Sequence, residues 1–108
     1  MGYSRDKIDN IYKEVTVSSI KTGNYVVLLN DYVIRVDSSG GSLTVTLPAS
    51  HNQGRIYIVK DIAGACSISP VLLLTADADT IDGEVDAELS VNYGSISVIS
   101  DGTNWART

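Results

Sequence analysis

Apolar and polar side chains alternate along most of this chain after Val15, and this period of two constrains the fold more than any other feature. The alternation is clearest at 32–36, 43–47 and 89–93. Successive side chains of a β-strand point to opposite faces of a sheet, so each of these segments predicts a strand with one buried face. The segment 55–60, like 25–29, is apolar on both faces, which predicts a strand at the centre of a sheet or against another subunit.

Turn-forming residues separate these segments at short intervals. Gly, Pro, Asn, Asp and Ser cluster at 21–24, 38–42, 48–54 and 101–102. Many short strands between frequent turns are typical of a β-sandwich or barrel. Pro70 interrupts an apolar stretch and predicts an edge or bulged strand there. We therefore predict an all-β fold over residues 15–108, an antiparallel β-sandwich of the jelly-roll kind.

The first fourteen residues have a different pattern. Charged residues surround Ile8, Ile11 and Val15, which recur at the spacing of one helical face, and Ser4 is suited to an N-cap. The pattern predicts a helical or coiled-coil stub as a separate N-terminal stem over residues 1–14. Two helical turns are marginal alone, so the stub needs to pack on its own domain or on the same stub of neighbouring subunits.

Composition argues against several functional classes. The chain has 108 residues, 8 basic and 13 acidic, and a formal charge of -5 without any cluster of Lys or Arg, so we predict no nucleic-acid binding. No apolar run approaches the roughly 20 residues that span a bilayer, so we predict no membrane insertion. Cys66 is the single cysteine and has no intrachain partner for a disulfide.

The sequence offers few groups for catalysis. His51 is the single histidine and lies in a polar loop, while Cys66 lies among small residues, and neither adjoins an oxyanion motif. No G-x-S-x-G element or phosphate-binding loop is present. Paired carboxylates for glycoside hydrolysis would have to come from the loop-like segment 77–88. We predict no enzyme activity, no catalytic residue and no cofactor.

The same acidic segment raises the question of calcium. Six carboxylates lie between Asp77 and Glu88, but an EF-hand loop needs Gly at its sixth position and an oxygen ligand at its fifth, where this chain has Asp82 and Ile81. The segment predicts a solvated acidic loop with a turn at 80–83 and no metal ligand. A calcium site of another kind is the open alternative.

Four motifs, each a common β-turn sequence by itself, occur in order across most of the chain: Asp31 to Pro48 with its Gly-Gly turn, Gly54 to Asp61, Asp79 to Gly83, and Ser100 to Trp105. In this order they resemble the β-domain near the C-termini of tailed-phage tail fibres and related virion fibre proteins. The family usually continues past the tryptophan with an apolar strand, whereas only three residues follow here, which predicts a short last strand.

The resemblance implies a structural role rather than catalysis. It implies a homotrimeric fibre module in the virion, on a tail or a capsid, made in the host cytoplasm. Its partners would be copies of itself, other virion proteins, and a glycan or protein of the host surface. The residues that would close the fold are Asp82, Gly83, Asp101, Gly102 and Trp105, and the candidates for a trimer stem are Ile8, Ile11 and Val15.

A monomeric carbohydrate-binding β-sandwich is the alternative function. Its exposed aromatic residue would be Tyr12, Tyr25, Tyr57 or Tyr93, although tyrosines in or beside strands usually serve packing. Loops at one end of a sandwich are the natural place for a ligand, and the candidates are 38–42, 49–54, 62–66 and 77–86. A trimer that binds glycans would combine both functions through avidity. The sequence assigns no individual ligand-binding residue.

Overall fold

The computed structural model describes residues 14–50 and 53–108. These residues contain eight β-strands and no helix. The strands are β1 (Tyr25–Val26), β2 (Val33–Val36), β3 (Leu43–Thr46), β4 (Ile56–Asp61), β5 (Val71–Leu74), β6 (Asp86–Leu89), β7 (Ser95–Ser100) and β8 (Trp105–Arg107). The all-β prediction is confirmed. The helical stub, with Ile8 and Ile11, lies outside the described residues, and Val15, which is described, is not helical.

The strands form two sheets of four that enclose one apolar core. The first sheet has the order β1-β3-β5-β6 and the second has the order β2-β4-β7-β8. Alternate residues of each long strand are buried, as the period of two predicts, and the buried residues of both sheets belong to one cluster. The sheets therefore pack face to face through side chains such as Ile34 and Val45.

The prediction of purely antiparallel sheets is wrong. Three pairs are parallel, β1 with β3, β2 with β4, and β3 with β5, and three are antiparallel, β4 with β7, β5 with β6, and β7 with β8. The physical reason is that the chain passes to the opposite sheet after each of its first strands. When the chain crosses back to a sheet, the new strand runs parallel to the previous strand of that same sheet.

The first five strands thus wind as a coil, and the last three close it. The Gly-Gly turn at 38–42 illustrates the winding, because it carries the chain from β2 in the second sheet to β3 in the first instead of forming a hairpin. Gly41 there has a φ of 139°. By contrast, β7 and β8 form a hairpin in one sheet, and β8 is short, as predicted.

Three strand predictions need correction, and one holds. β4 is central, as predicted, but the segment 25–29 contributes only the two-residue edge strand β1. β5 is central rather than an edge, because Pro70 precedes its first residue and removes no hydrogen-bond donor from the sheet. The predicted strand 89–93 is wrong too, since β6 ends at Leu89 and a turn follows.

Candidate functional site

The two C-terminal turns singled out by the sequence contact each other directly. The amide of Trp105 donates a hydrogen bond to the carbonyl of Thr80 (2.8 Å), and the amide of Asp82 donates to the carbonyl of Trp105 (3.0 Å). Asn104 adds a third link, because its side-chain oxygen accepts from the amide of Thr80 (2.9 Å). These bonds attach the turn around Gly83, whose φ is 85°, to the start of β8.

Asp101 and Gly102 shape the connection between β7 and β8. The carboxylate of Asp101 accepts hydrogen bonds from the amides of Thr103 (2.8 Å) and Asn104 (2.7 Å), and these bonds lower its pKa. Gly102 has a φ of 96°, which L-residues with a side chain rarely adopt. The connection delivers Trp105, 2% exposed, into the core beside Tyr57.

Asp61 is a buried carboxylate that the sequence analysis did not single out. Its Oδ1 accepts hydrogen bonds from the amides of Ala63 and Gly64, and its Oδ2 accepts from those of Ala65, Cys66 and Tyr93, at 2.9–3.3 Å. Burial alone would raise the pKa of Asp61, but the bonds from Tyr93, Ala63 and Cys66 outweigh it and lower the pKa. The carboxylate therefore ties the loop after β4 to the turn before β7.

Of the His51 and Cys66 side chains considered for catalysis, the structure describes only Cys66. His51 lies outside the described residues. The thiol of Cys66 is fully buried, 3.8 Å from the hydroxyl of Ser38, and that hydroxyl donates to the carbonyl of Ser69 (2.6 Å). Burial raises the pKa of the thiol, which disfavours the reactive thiolate.

The acidic segment 77–88 is spread over two turns and a strand. Asp77 and Asp82 have positive φ values in tight turns, while Asp86 and Glu88 lie on β6. Within residues 14–50 and 53–108, no three acidic, His or Cys side chains come together in a way that would hold a metal ion. Two carboxylates have structural contacts instead, since Asp79 accepts from the amide of Ser50 (2.9 Å) and Asp82 accepts from the amide of Arg107 (3.2 Å).

The tyrosines considered for carbohydrate binding differ in burial where the structure describes them. Tyr57 is fully buried, so its ring faces no ligand, and Tyr12 lies outside the described residues. Tyr25 is half-buried, with Lys21 Nζ 4.2 Å from the centre of its ring. Tyr93 is 61% exposed. Of the tyrosines named for this alternative and described by the structure, Tyr93 alone presents most of its side chain to solvent.

The hydrogen bond between Tyr25 and Asp31, at the edge of the first sheet, can be tested through the pH dependence of stability. The hydroxyl of Tyr25 donates to Asp31 Oδ2 (2.5 Å), which also accepts from the amide of Leu28 (2.8 Å), and burial with this carboxylate raises the pKa of Tyr25 to about 12. We expect Tyr25→Phe to lower the free energy of unfolding by about 1–2 kcal/mol at neutral pH. Because the folded pKa is raised, this contribution should persist below pH 10 and disappear as pH rises towards 12. Urea unfolding of both proteins across that range measures it, and an equal difference at every pH would contradict it.

Both sheets begin with exposed apolar residues, here called the apolar edge: Val15, Val17, Ile20, Val26, Leu28 and Leu29, each 47–64% exposed. Val17 and Lys21 bridge to β2 at the border of the second sheet, and β1 borders the first. The contact between Lys21 and Tyr25 places the two borders side by side. The apolar edge thus lies at the end of the sandwich where the coil starts.

The opposite borders are different in character. β6 ends the first sheet with Asp86 half-buried and Glu88 exposed, and β8 ends the second with Arg107 exposed. Charged side chains at an edge strand hinder pairing with a further strand. The side of the sandwich formed by β6 and β8 is called the charged end below, although Val85 beside β6 is exposed as well.

The sequence matches no protein-family model and has no significant match among curated proteins. In the part of the chain that the structure describes, no helix has the length and apolar character needed to cross a bilayer.

Proposed function

We propose that this chain is a structural module of a virion fibre and that it assembles as a homotrimer through its apolar edge. The apolar edge is the observation that carries the proposal. Large exposed apolar patches on protein surfaces mark interaction sites. The ordered motifs of the sequence, which resemble those of tail-fibre β-domains, add the fibre context, the virion location and host attachment.

The contrast between the two ends favours a closed assembly around an axis. Stacking of copies end to end would place the apolar edge of one copy against charged β6 and β8 of the next. Arrangement around a three-fold axis instead brings apolar edges together and leaves the charged borders in solvent. Val15, a stem candidate from the sequence, belongs to this same edge.

Sedimentation of the intact chain tests the assembly. We expect a species of three times the 11.5 kDa chain mass at micromolar concentration. The double variant Val26→Ser/Leu28→Ser should dissociate to monomers, because removing two side chains of this size costs about 3 kcal/mol per interface. That loss corresponds to roughly a 100-fold weaker association.

Val85→Ser is the matched control. Val85 is 69% exposed but precedes β6, at the charged end of the first sheet, so this variant should remain a trimer. Circular dichroism should show that all three proteins keep their β-structure. A monomeric wild type would refute the trimer, and dissociation by Val85→Ser alone would place the interface elsewhere.

A monomeric carbohydrate-binding module is the second candidate, favoured by the exposure of Tyr93. Sedimentation separates the two proposals, because the second needs no self-association. Neither proposal assigns a catalytic group or a cofactor to the chain.

A further inference from the structure

Tyr93 combines exposure with a strained backbone. Its φ is 59°, in the left-handed region, although its side chain is bulky and 61% exposed. Such a conformation is unfavourable for an L-residue, and for a bulky one it is an outlier. Strained residues persist only where their surroundings hold them, and they cluster at functional sites.

Several contacts hold this tyrosine in place. Its amide donates to the buried carboxylate of Asp61 (2.9 Å), and its carbonyl accepts from the ammonium of Lys60. The turn closes through Gly94, whose amide donates to the carbonyl of Val91 (2.9 Å). The ring lies so close to Gly64 that a Cβ on that glycine would overlap it. The fold thus fixes an aromatic ring that it does not bury.

The neighbouring loop is joined to the same turn. The side-chain oxygen of Asn92 accepts a hydrogen bond from the amide of Ser67 (2.8 Å). The NH2 group of Asn92 has no hydrogen-bond partner among the described residues. Ile68 and Val91, 89% and 66% exposed, flank this pair along the chain. Ile68, Val91, Asn92 and Tyr93 are called the Tyr93 platform below.

The size and chemistry of the platform favour a small polar ligand. Three exposed apolar side chains offer on the order of 300 Å², well below the roughly 800 Å² per partner of a stable protein interface. An exposed aromatic ring beside a free amide donor suits a ligand with an apolar face and hydroxyl groups. A pyranose ring has both, with C–H groups on one face and hydroxyls at its rim.

We propose that the Tyr93 platform is a saccharide-binding site. The ring of Tyr93 stacks against the C–H face of a pyranose, and the NH2 group of Asn92 donates to one of its hydroxyl oxygens. Asp61 and Gly64 are positioning residues that hold the ring. The site is complete within one chain; it rests on the second proposed function, carbohydrate binding, to which it gives residues, and it does not depend on the trimer. In a trimer, three weak sites would gain avidity.

Titration with defined oligosaccharides tests the site. The probes are soluble oligomers of glucose, galactose, mannose, N-acetylglucosamine and N-acetylgalactosamine, followed by ligand saturation transfer and by backbone amide shifts of the protein. We expect at least one probe to shift the amides of residues 91–94. Tyr93→Ala should weaken that binding at least tenfold, while the distant Val85→Ala should leave it nearly unchanged.

Tyr93→Gly separates a binding role from a packing role. Glycine adopts a positive φ without strain, so this variant should lose saccharide binding while its Tm equals or exceeds that of the wild type. A lower Tm would show that the ring supports the fold, and would overturn the proposal. The proposal would also be overturned if no saccharide shifted the amides of residues 91–94, even if an added protein did shift them. A monomer that still bound saccharide would refute the trimer and leave this site intact.

Discussion

Asp61→Ala should lower the free energy of unfolding by about 3–5 kcal/mol, because it removes the acceptor for five backbone amides at once. The carboxylate is fully buried, so water cannot replace it without rearrangement of the loop after β4. The amide of Tyr93 would lose its partner too, which frees the turn before β7. Urea unfolding followed by circular dichroism measures the loss.

Asp61→Asn is the matched control for the charge. Its shape is nearly that of aspartate, but one oxygen becomes an NH2 group that faces backbone donors, so we expect a loss closer to that of alanine than to wild type. A loss below about 1 kcal/mol for both variants would contradict the structural role of the carboxylate.

The pH dependence of the free energy of unfolding in acid provides an independent check of the structural role of Asp61. Its folded pKa is lowered from the ordinary value of 3.8, so its contribution is complete above that pH and is lost as pH falls through the folded value. Wild type should therefore lose stability below about pH 4 more steeply than Asp61→Asn. Part of the dependence will remain in the variant, because hydrogen bonds also lower the pKa of Asp37 and Asp101.

Trp105→Ala should have a comparable effect, about 3–5 kcal/mol, because it empties a large part of the core. The indole lies 5.6 Å from the ring of Tyr57, centre to centre, at an angle of 49°. It also begins β8, whose backbone bonds to Thr80 and Asp82 attach the acidic turn. Loss of the side chain should thus loosen the fold-closing residues predicted from the sequence. Urea unfolding followed by circular dichroism measures this without needing the tryptophan signal.

Trp105→Phe is the corresponding control. It keeps an aromatic ring against Tyr57 and removes the indole Nε1 donor, which has no hydrogen-bond partner among the described residues. We expect a loss of about 1–2 kcal/mol, well below that of alanine. Equal losses for both substitutions would show that a ring at this position does not matter, which contradicts the proposed closure.

Much of the secondary structure was predictable because burial of one face leaves a direct trace in the sequence. Leu43 and Val45 face the core while their neighbours are half-buried, so β3 was found almost to the residue. Strand direction leaves no such trace. A period of two is the same in parallel and antiparallel sheets, so the coil could not be distinguished from a jelly roll.

The candidate sites were harder to predict, for a physical reason that differs between them. Val91 and Tyr93 continue the alternation of β6 in the sequence. The positive φ of Tyr93 marks the turn that leaves both side chains exposed, and this turn is visible only in the structure. Asp61 resembles an ordinary aspartate in the sequence, because its partners become visible only in three dimensions: four amides that follow it closely, and the amide of Tyr93 from 32 residues away.

The coil of β1 to β5 makes the length of this domain adjustable in evolution. Each further winding adds one strand to each sheet while the cross-section of the core stays the same. The windings already differ in length, since Tyr25 pairs with Val45 whereas Leu43 pairs with Val71, and the extra residues lie in β4 and in the connections on either side of it. Gene segments that encode whole windings could therefore be duplicated or deleted at the apolar end without redesign of the C-terminal closure.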